Sequence, residues 1–125
     1  MYLEDIGGLM IIESAAALDS AMCKQNEKGA NEIWLWRNDS RFPALAILTR
    51  QNAAYAQYFP GAGHPGFMSL AESQVDESTI FYAGGAGDEQ EISNGNVIPL
   101  SVAVVLAQEF FSSQALPQSI EWQEL

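Results

Sequence analysis

His64 is the only histidine in the chain, so proton transfer through an imidazole would have to use it alone. It sits in Pro60-Gly61-Ala62-Gly63-His64-Pro65-Gly66, a loop by composition, and reads as a structural or exposed residue rather than a catalytic base. Cys23, the single cysteine, falls beside Met22 in a helical pattern and reads as a buried, inert thiol. One histidine and one cysteine cannot form zinc sites of the H-E-x-x-H or C-x-x-C type, while an all-carboxylate metal site stays conceivable. Gly84-Gly85-Ala86-Gly87 follows a strand pattern, as a phosphate-binding loop would. The acids Asp88, Glu89 and Glu91 come next, however, where a phosphate needs a helix N-terminus or a lysine, and the segment reads as a turn. Residues 88–96 also fail the calcium-loop spacing, since Gln90 and Ile92 occupy ligand positions and no glutamate stands at the twelfth. No G-x-S-x-G nucleophile elbow is present. The residues point away from catalysis, and no cofactor or metal is expected.

Charge is the more informative property. Among 125 residues, 16 acidic side chains face 5 basic ones, for a formal net charge of −11. All the basic residues (Lys24, Lys28, Arg37, Arg41, Arg50) precede residue 51, so the remainder of the chain is purely anionic. Direct binding to nucleic acid is disfavoured by such a field, whereas a basic protein would be attracted and captured quickly. With 48% hydrophobic and 17% charged residues, the chain can bury a core, and its length suits a single domain over 1–125. The longest uncharged apolar stretch, 97–108, is broken by Pro99 and is shorter than the roughly 20 residues a bilayer helix needs, so no membrane association is expected. The start Met1-Tyr2-Leu3-Glu4-Asp5 carries acids where a secretory leader carries positive charge, and a cytoplasmic location follows as the expectation. A single cysteine fits a reducing compartment.

The elements that would position these residues are legible from periodicity. Ser14 can cap a helix over 15–24 whose buried face is Ala15, Leu18 and Met22. Upstream, 9–12 is a short apolar run that reads as a strand. From Glu32 the period becomes two: Ile33, Leu35 and Arg37 point one way, Glu32, Trp34 and Trp36 the other. Apolar runs at 44–49 and 53–59, joined by short turns, make three consecutive strands of an antiparallel meander. Residues 67–70 and 78–82 read as further strands around the acidic connection 72–77. Pro99 suits a first helical position and opens a second helix to about Ser113, with Ala103, Leu106, Ala107 and Phe110 facing the core. Ile120 and Trp122 alternate like a short closing strand. The order predicts an α+β fold, an antiparallel sheet with two main helices packed on it.

The C-terminal third adds a resemblance. A helix ending Ala107-Gln108-Glu109-Phe110-Phe111, a break, and Leu116-Pro117-Gln118-Ser119-Ile120-Glu121-Trp122 resemble the first-numbered Imm family of immunity proteins from bacterial polymorphic toxin systems. The similarity is clear over 98–125 and looser over the aromatic strands of 32–59. It implies a non-enzymatic inhibitor that binds a co-encoded toxin domain, as a 1:1 heterodimer, and blocks its active site. A toxin acting on nucleic acid, a deaminase or nuclease, presents a positive cleft that an anionic domain can mask. The expected toxin-binding residues are Glu72, Asp76, Glu77, Asp88, Glu89 and Glu91, which lie in connections, together with Tyr58 from the aromatic strands. Two other readings stay open on the residues alone: an adaptor or subunit with no toxin partner, and a small enzyme using a carboxylate metal site or His64.

Overall fold

The computed structural model describes residues 1–72, 77–84 and 87–125. Among these residues the chain order is β1 (Tyr2–Asp5), β2 (Gly8–Ile11), α1 (Ala15–Met22), β3 (Ala30–Trp36), β4 (Ala44–Arg50), β5 (Ala53–Phe59), β6 (Phe67–Ser69), β7 (Ser78–Ala83), β8 (Asp88–Ser93), a 3₁₀ turn (Asn94–Asn96), β9 (Ile98–Pro99), α2 (Leu100–Ser113) and β10 (Trp122–Glu124). Eight strands form an antiparallel sheet in the order β10-β6-β5-β4-β3-β1-β2, with β9 beside the first half of β5; β7 and β8 form a separate hairpin. The fold is α+β, as the order of elements predicts.

Alternation decides how the sheet packs, because directly paired residues of an antiparallel sheet share one face. Leu3, Leu35, Leu45 and Tyr58 pair in one row and Ile33, Ile47 and Ala56 in the next. All are nearly or fully buried beneath the two helices. Helix α2 inserts Ala103, Leu106, Ala107 and Phe110, each inaccessible to solvent. Each Leu, Ile or Phe so enclosed stabilises the fold by about 1.5–3 kcal/mol relative to exposure. The Ser14 hydroxyl caps α1 by accepting from the Ala17 amide at 3.1 Å. Gln108 ties the helices together, its Nε2 donating to the Ala15 carbonyl at 2.9 Å and to Asp19 Oδ1 at 2.6 Å. Arg37 follows the helix-facing parity beyond the end of β3: its guanidinium donates to the Phe111 carbonyl and lies 5.2 Å from that ring. Trp122 closes the far edge, half-buried against the core, with its indole N–H donating to the Pro117 carbonyl at 2.8 Å.

Three local expectations change, and the strand expected near Leu9 is present as an edge. Helix α1 stops at Met22, and Ala21 rather than Ala15 lies on its buried face, Ala15 being exposed in the first turn. Cys23 is the exposed C-cap of that helix, not a buried thiol. The chain opens on a β1–β2 hairpin, so the apolar run near Leu9 is an edge strand that widens the sheet. Residues 88–93, expected to lie in a connection, pair with β7 as a full strand. No helix among the described residues is long and apolar enough to cross a membrane.

Candidate functional site

The opposite face of the sheet carries the remaining large side chains and is covered only in part. Two rows cross it: Ile11, Tyr2, Trp36, Ala44 and Phe59 in one, and Leu9, Glu4, Trp34, Ala46, Gln57 and Met68 in the other. The β7–β8 hairpin packs over β3 and β4 near their far ends, burying Phe81 completely. Arg50 anchors it, with Nη1 donating to the Ile80 carbonyl at 3.0 Å and the guanidinium 5.3 Å from the Tyr82 ring. Lys28 lies 4.8 Å over the same ring.

Beyond the hairpin the face is open. Ala44 and Ala46, flanked by large rings, are short enough for Trp34 to reach across β4 and stack on Phe59, centroids 5.7 Å apart and planes at 15°. Trp34 thereby divides two recesses. One, about 320 Å³, is lined by Glu4, Trp34, Trp36, Arg41, Phe42 and Ala44 among others. The second, about 340 Å³, runs under the hairpin past Glu32, Tyr55, Gln57 and Gln90. The loop after β3 turns back over the first recess, held by the Arg41 amide donating to the Asn38 carbonyl and by Asn38 Nδ2 donating to the Phe42 carbonyl, both at 2.9 Å. This places the Arg41 guanidinium 4.6 Å from the Trp36 ring and 4.0 Å from Glu4. Leu9 and Ile11 extend the face to the sheet edge, 59% and 64% exposed.

The acids border this surface unevenly. Strand alternation turns Glu89 and Glu91 away from the sheet, while Gln90 and Ile92 line the recess beneath. Asp88, Glu89, Glu72 and Glu77 are exposed and make no ion pair among the described residues. Glu91 accepts from the Ser78 hydroxyl at 2.7 Å. Glu72 lies apart, at the rim of a different recess next to Val97 and Ile120. Asp76 lies outside the described residues. The cations lie over aromatic rings or, for Lys24, beside Asp5 at 3.6 Å, and all but Arg50 stay exposed.

Tyr58, expected at the interface, is a core residue. It is 7% exposed, on the helix-facing side, with its ring edge-on to Phe110 at 6.3 Å, and burial raises its phenol above the ordinary tyrosine value. Trp34 and Phe59, both half-buried on the open face, hold the aromatic position that Tyr58 was expected to hold. Trp34 carried a signal in the opposite parity of Trp34 and Ile33; Leu9 and Ile11 carried none, since an isolated apolar run does not reveal that it forms an edge. His64 has a local role: Nδ1 accepts from the Gly66 amide at 2.8 Å, Nε2 lies 3.2 Å from Glu124, and the ring stacks on Phe67 at 5.4 Å. No group of three or more His, Cys, Asp or Glu side chains among the described residues is arranged to hold a metal ion.

A partly open aromatic face beside outward carboxylates has the make-up that protein recognition uses, since rings supply buried contact area and acids supply steering. A family model described as immunity protein Imm1 matches residues 26–124, which span β3 to β10 and so most of this face. The chain is also 26% identical, over the whole length of both proteins, to a double-stranded DNA deaminase immunity protein of Burkholderia cenocepacia (strain H111). With the family's span laid over the meander, the hairpin and the α2–β10 tail alike, the chain belongs to the Imm1 family of immunity proteins.

Proposed function

We propose that this immunity protein neutralises a basic, nucleic-acid-targeting toxin domain by docking its open sheet face and the acidic outer side of the β7–β8 hairpin over the toxin's active site. The carrying observation is the juxtaposition of Trp34 and Phe59, half-buried and stacked, with Asp88, Glu89 and Glu91 on strand β8 of the hairpin that covers part of the same face. A deaminase is the toxin class that the relative's name supports, and a cleft built to hold a phosphate backbone carries the arginines and lysines that such carboxylates attract. Glu72, Asp76 and Glu77, close together in the sequence, are a second set of candidate acids in this reading. Inhibition is by occupancy in a 1:1 complex, with no cofactor and no reaction on the inhibitor's side, in the cytoplasm where the toxin would act.

The test is to mix the purified chain with the toxin domain encoded beside it and to measure complex formation and residual deaminase activity. Stoichiometric binding with loss of activity is the expected result; an unaffected toxin would refute the reading. Replacing Asp88, Glu89 and Glu91 with Asn, Gln and Gln should slow association roughly tenfold at low salt and flatten its dependence on ionic strength, with little change in thermal stability. The same exchange at Glu72, Asp76 and Glu77 tests the second group separately. Stopped-flow rates unchanged in both triple variants would leave the acids as solubilising residues only.

His64→Ala should still protect cells from the toxin. It removes an exposed pair and one loop hydrogen bond, together worth about 1 kcal/mol, so melting should fall by a few degrees. A stable, toxin-binding His64→Ala protein that no longer protects would indicate chemistry at the imidazole.

A further inference from the structure

Strand β2 ends the sheet, paired with β1 on one side and with no strand among the described residues on the other. Exposed edges are usually blunted by charge, proline or a bulge. This one reads Gly8-Leu9-Met10-Ile11 and has neither charge nor proline. In an antiparallel ladder, alternate residues exchange both backbone hydrogen bonds with their partners, and the residues between them turn their N–H and C=O outward. Met1 and Ile12 exchange both bonds, at 3.2 and 2.7 Å. The register then makes Tyr2–Ile11 and Glu4–Leu9 the non-exchanging pairs. The amides and carbonyls of Leu9 and Ile11 therefore face away from the sheet, two residues apart, the spacing that a further strand engages. Their side chains continue the rows of Trp36 and Trp34 on the open face.

We infer that β2 is a docking edge onto which the bound toxin adds an extended segment, continuing the sheet; this rests on the toxin-binding reading above. Charge selects the occupant. The Glu4 side chain, opposite Leu9, is 46% exposed, and Glu13 is exposed just beyond the strand. Two copies pairing edge to edge would bring like charges together on chains that each carry −11. A toxin segment with apolar side chains for Leu9 and Ile11, and a lysine or arginine for Glu13 and for the solvent side of Glu4, which Arg41 meets at 4.0 Å, satisfies both the edge and its flanks. Main-chain bonds would then supply affinity while the aromatic face supplies selectivity.

Residue-resolved amide exchange on the ¹⁵N-labelled chain, alone and saturated with the toxin domain encoded beside it, tests this. The Leu9 and Ile11 amides should exchange freely in the chain alone and slow by about tenfold or more in the complex, while Met10, bonded within the β1–β2 ladder, is protected in both. A complex in which the Leu9 and Ile11 methyl signals shift but both amides keep their free rates means contact through side chains only, and overturns the strand addition while leaving toxin binding intact. Protection of both amides in the chain alone, rising with concentration, assigns the edge to a second copy and also overturns it. Absence of any complex removes the toxin-binding reading and this inference with it.

Discussion

Phe110→Ala is expected to lower the melting temperature by about 10–20 °C and to abolish protection through unfolding rather than through a lost contact. Phe110 is inaccessible to solvent at the point where α2 meets the sheet, edge-on to Tyr58 and enclosed with Leu106, Ala107 and Leu45 in the main core. Truncating such a ring removes its transfer free energy and leaves a cavity that the strands cannot close, at a cost of about 3–5 kcal/mol. A domain of this size has about 5–15 kcal/mol in total, so much of the margin disappears. Differential scanning calorimetry checks the result, with toxin binding measured well below the transition. A fall of less than about 3 °C would mean that the helix–sheet packing described for Phe110 is wrong.

Trp34→Ala should show the opposite pattern. Trp34 stands half-buried on the open face, stacked on Phe59 between two recesses, where a partner's side chains can enclose it completely. Central aromatic anchors of this kind lose about 2–4 kcal/mol of binding when truncated, so the dissociation constant for the toxin should rise about 30- to 1000-fold. The loss of one stacking contact should shift melting by less than half of the change at Phe110. Titration calorimetry and thermal melts on the same preparations separate the two effects. Unchanged affinity with a destabilised fold would make Trp34 a packing residue and move the contact surface to the acidic hairpin alone. Comparing the two aromatic variants thus distinguishes a core ring from an interface ring within one sheet.

Much of the scaffold was legible before any tertiary information. The Ser14 cap, the period-two strands over 32–59, the face of α2 and the closing strand at Trp122 all follow from interactions within a few residues, and the structure reproduces them. The tail Phe110-Phe111, Pro117 and Trp122 was likewise readable as packing, because helix periodicity and a following proline are local signals. The candidate site was legible only in part. The acids of β8 and the glycine turn before them were visible in composition, but the pairing that turns Glu89 and Glu91 outward depends on β7. Cys23 was misplaced because one residue of helix length decides whether it lies on a buried turn or at an exposed cap.

The sequence by itself determined that β3, β4 and β5 each have two distinct faces, since side chains alternate along an extended backbone whatever surrounds it. It also determined that charge leaves the second half of the chain wholly anionic. Only the tertiary structure decided which face the helices cover. Both faces of β3 are apolar, Ile33 and Leu35 against Trp34 and Trp36, and hydrophobicity alone assigns neither to the core. The choice comes from long-range fit: Ala103, Leu106, Ala107 and Phe110 pack against the aliphatic rows of Leu35, Leu45 and Ile47, with Tyr58 at their margin. The tryptophans are left on the side that a single hairpin only half covers, and Tyr58 is withdrawn from the surface by the same geometry.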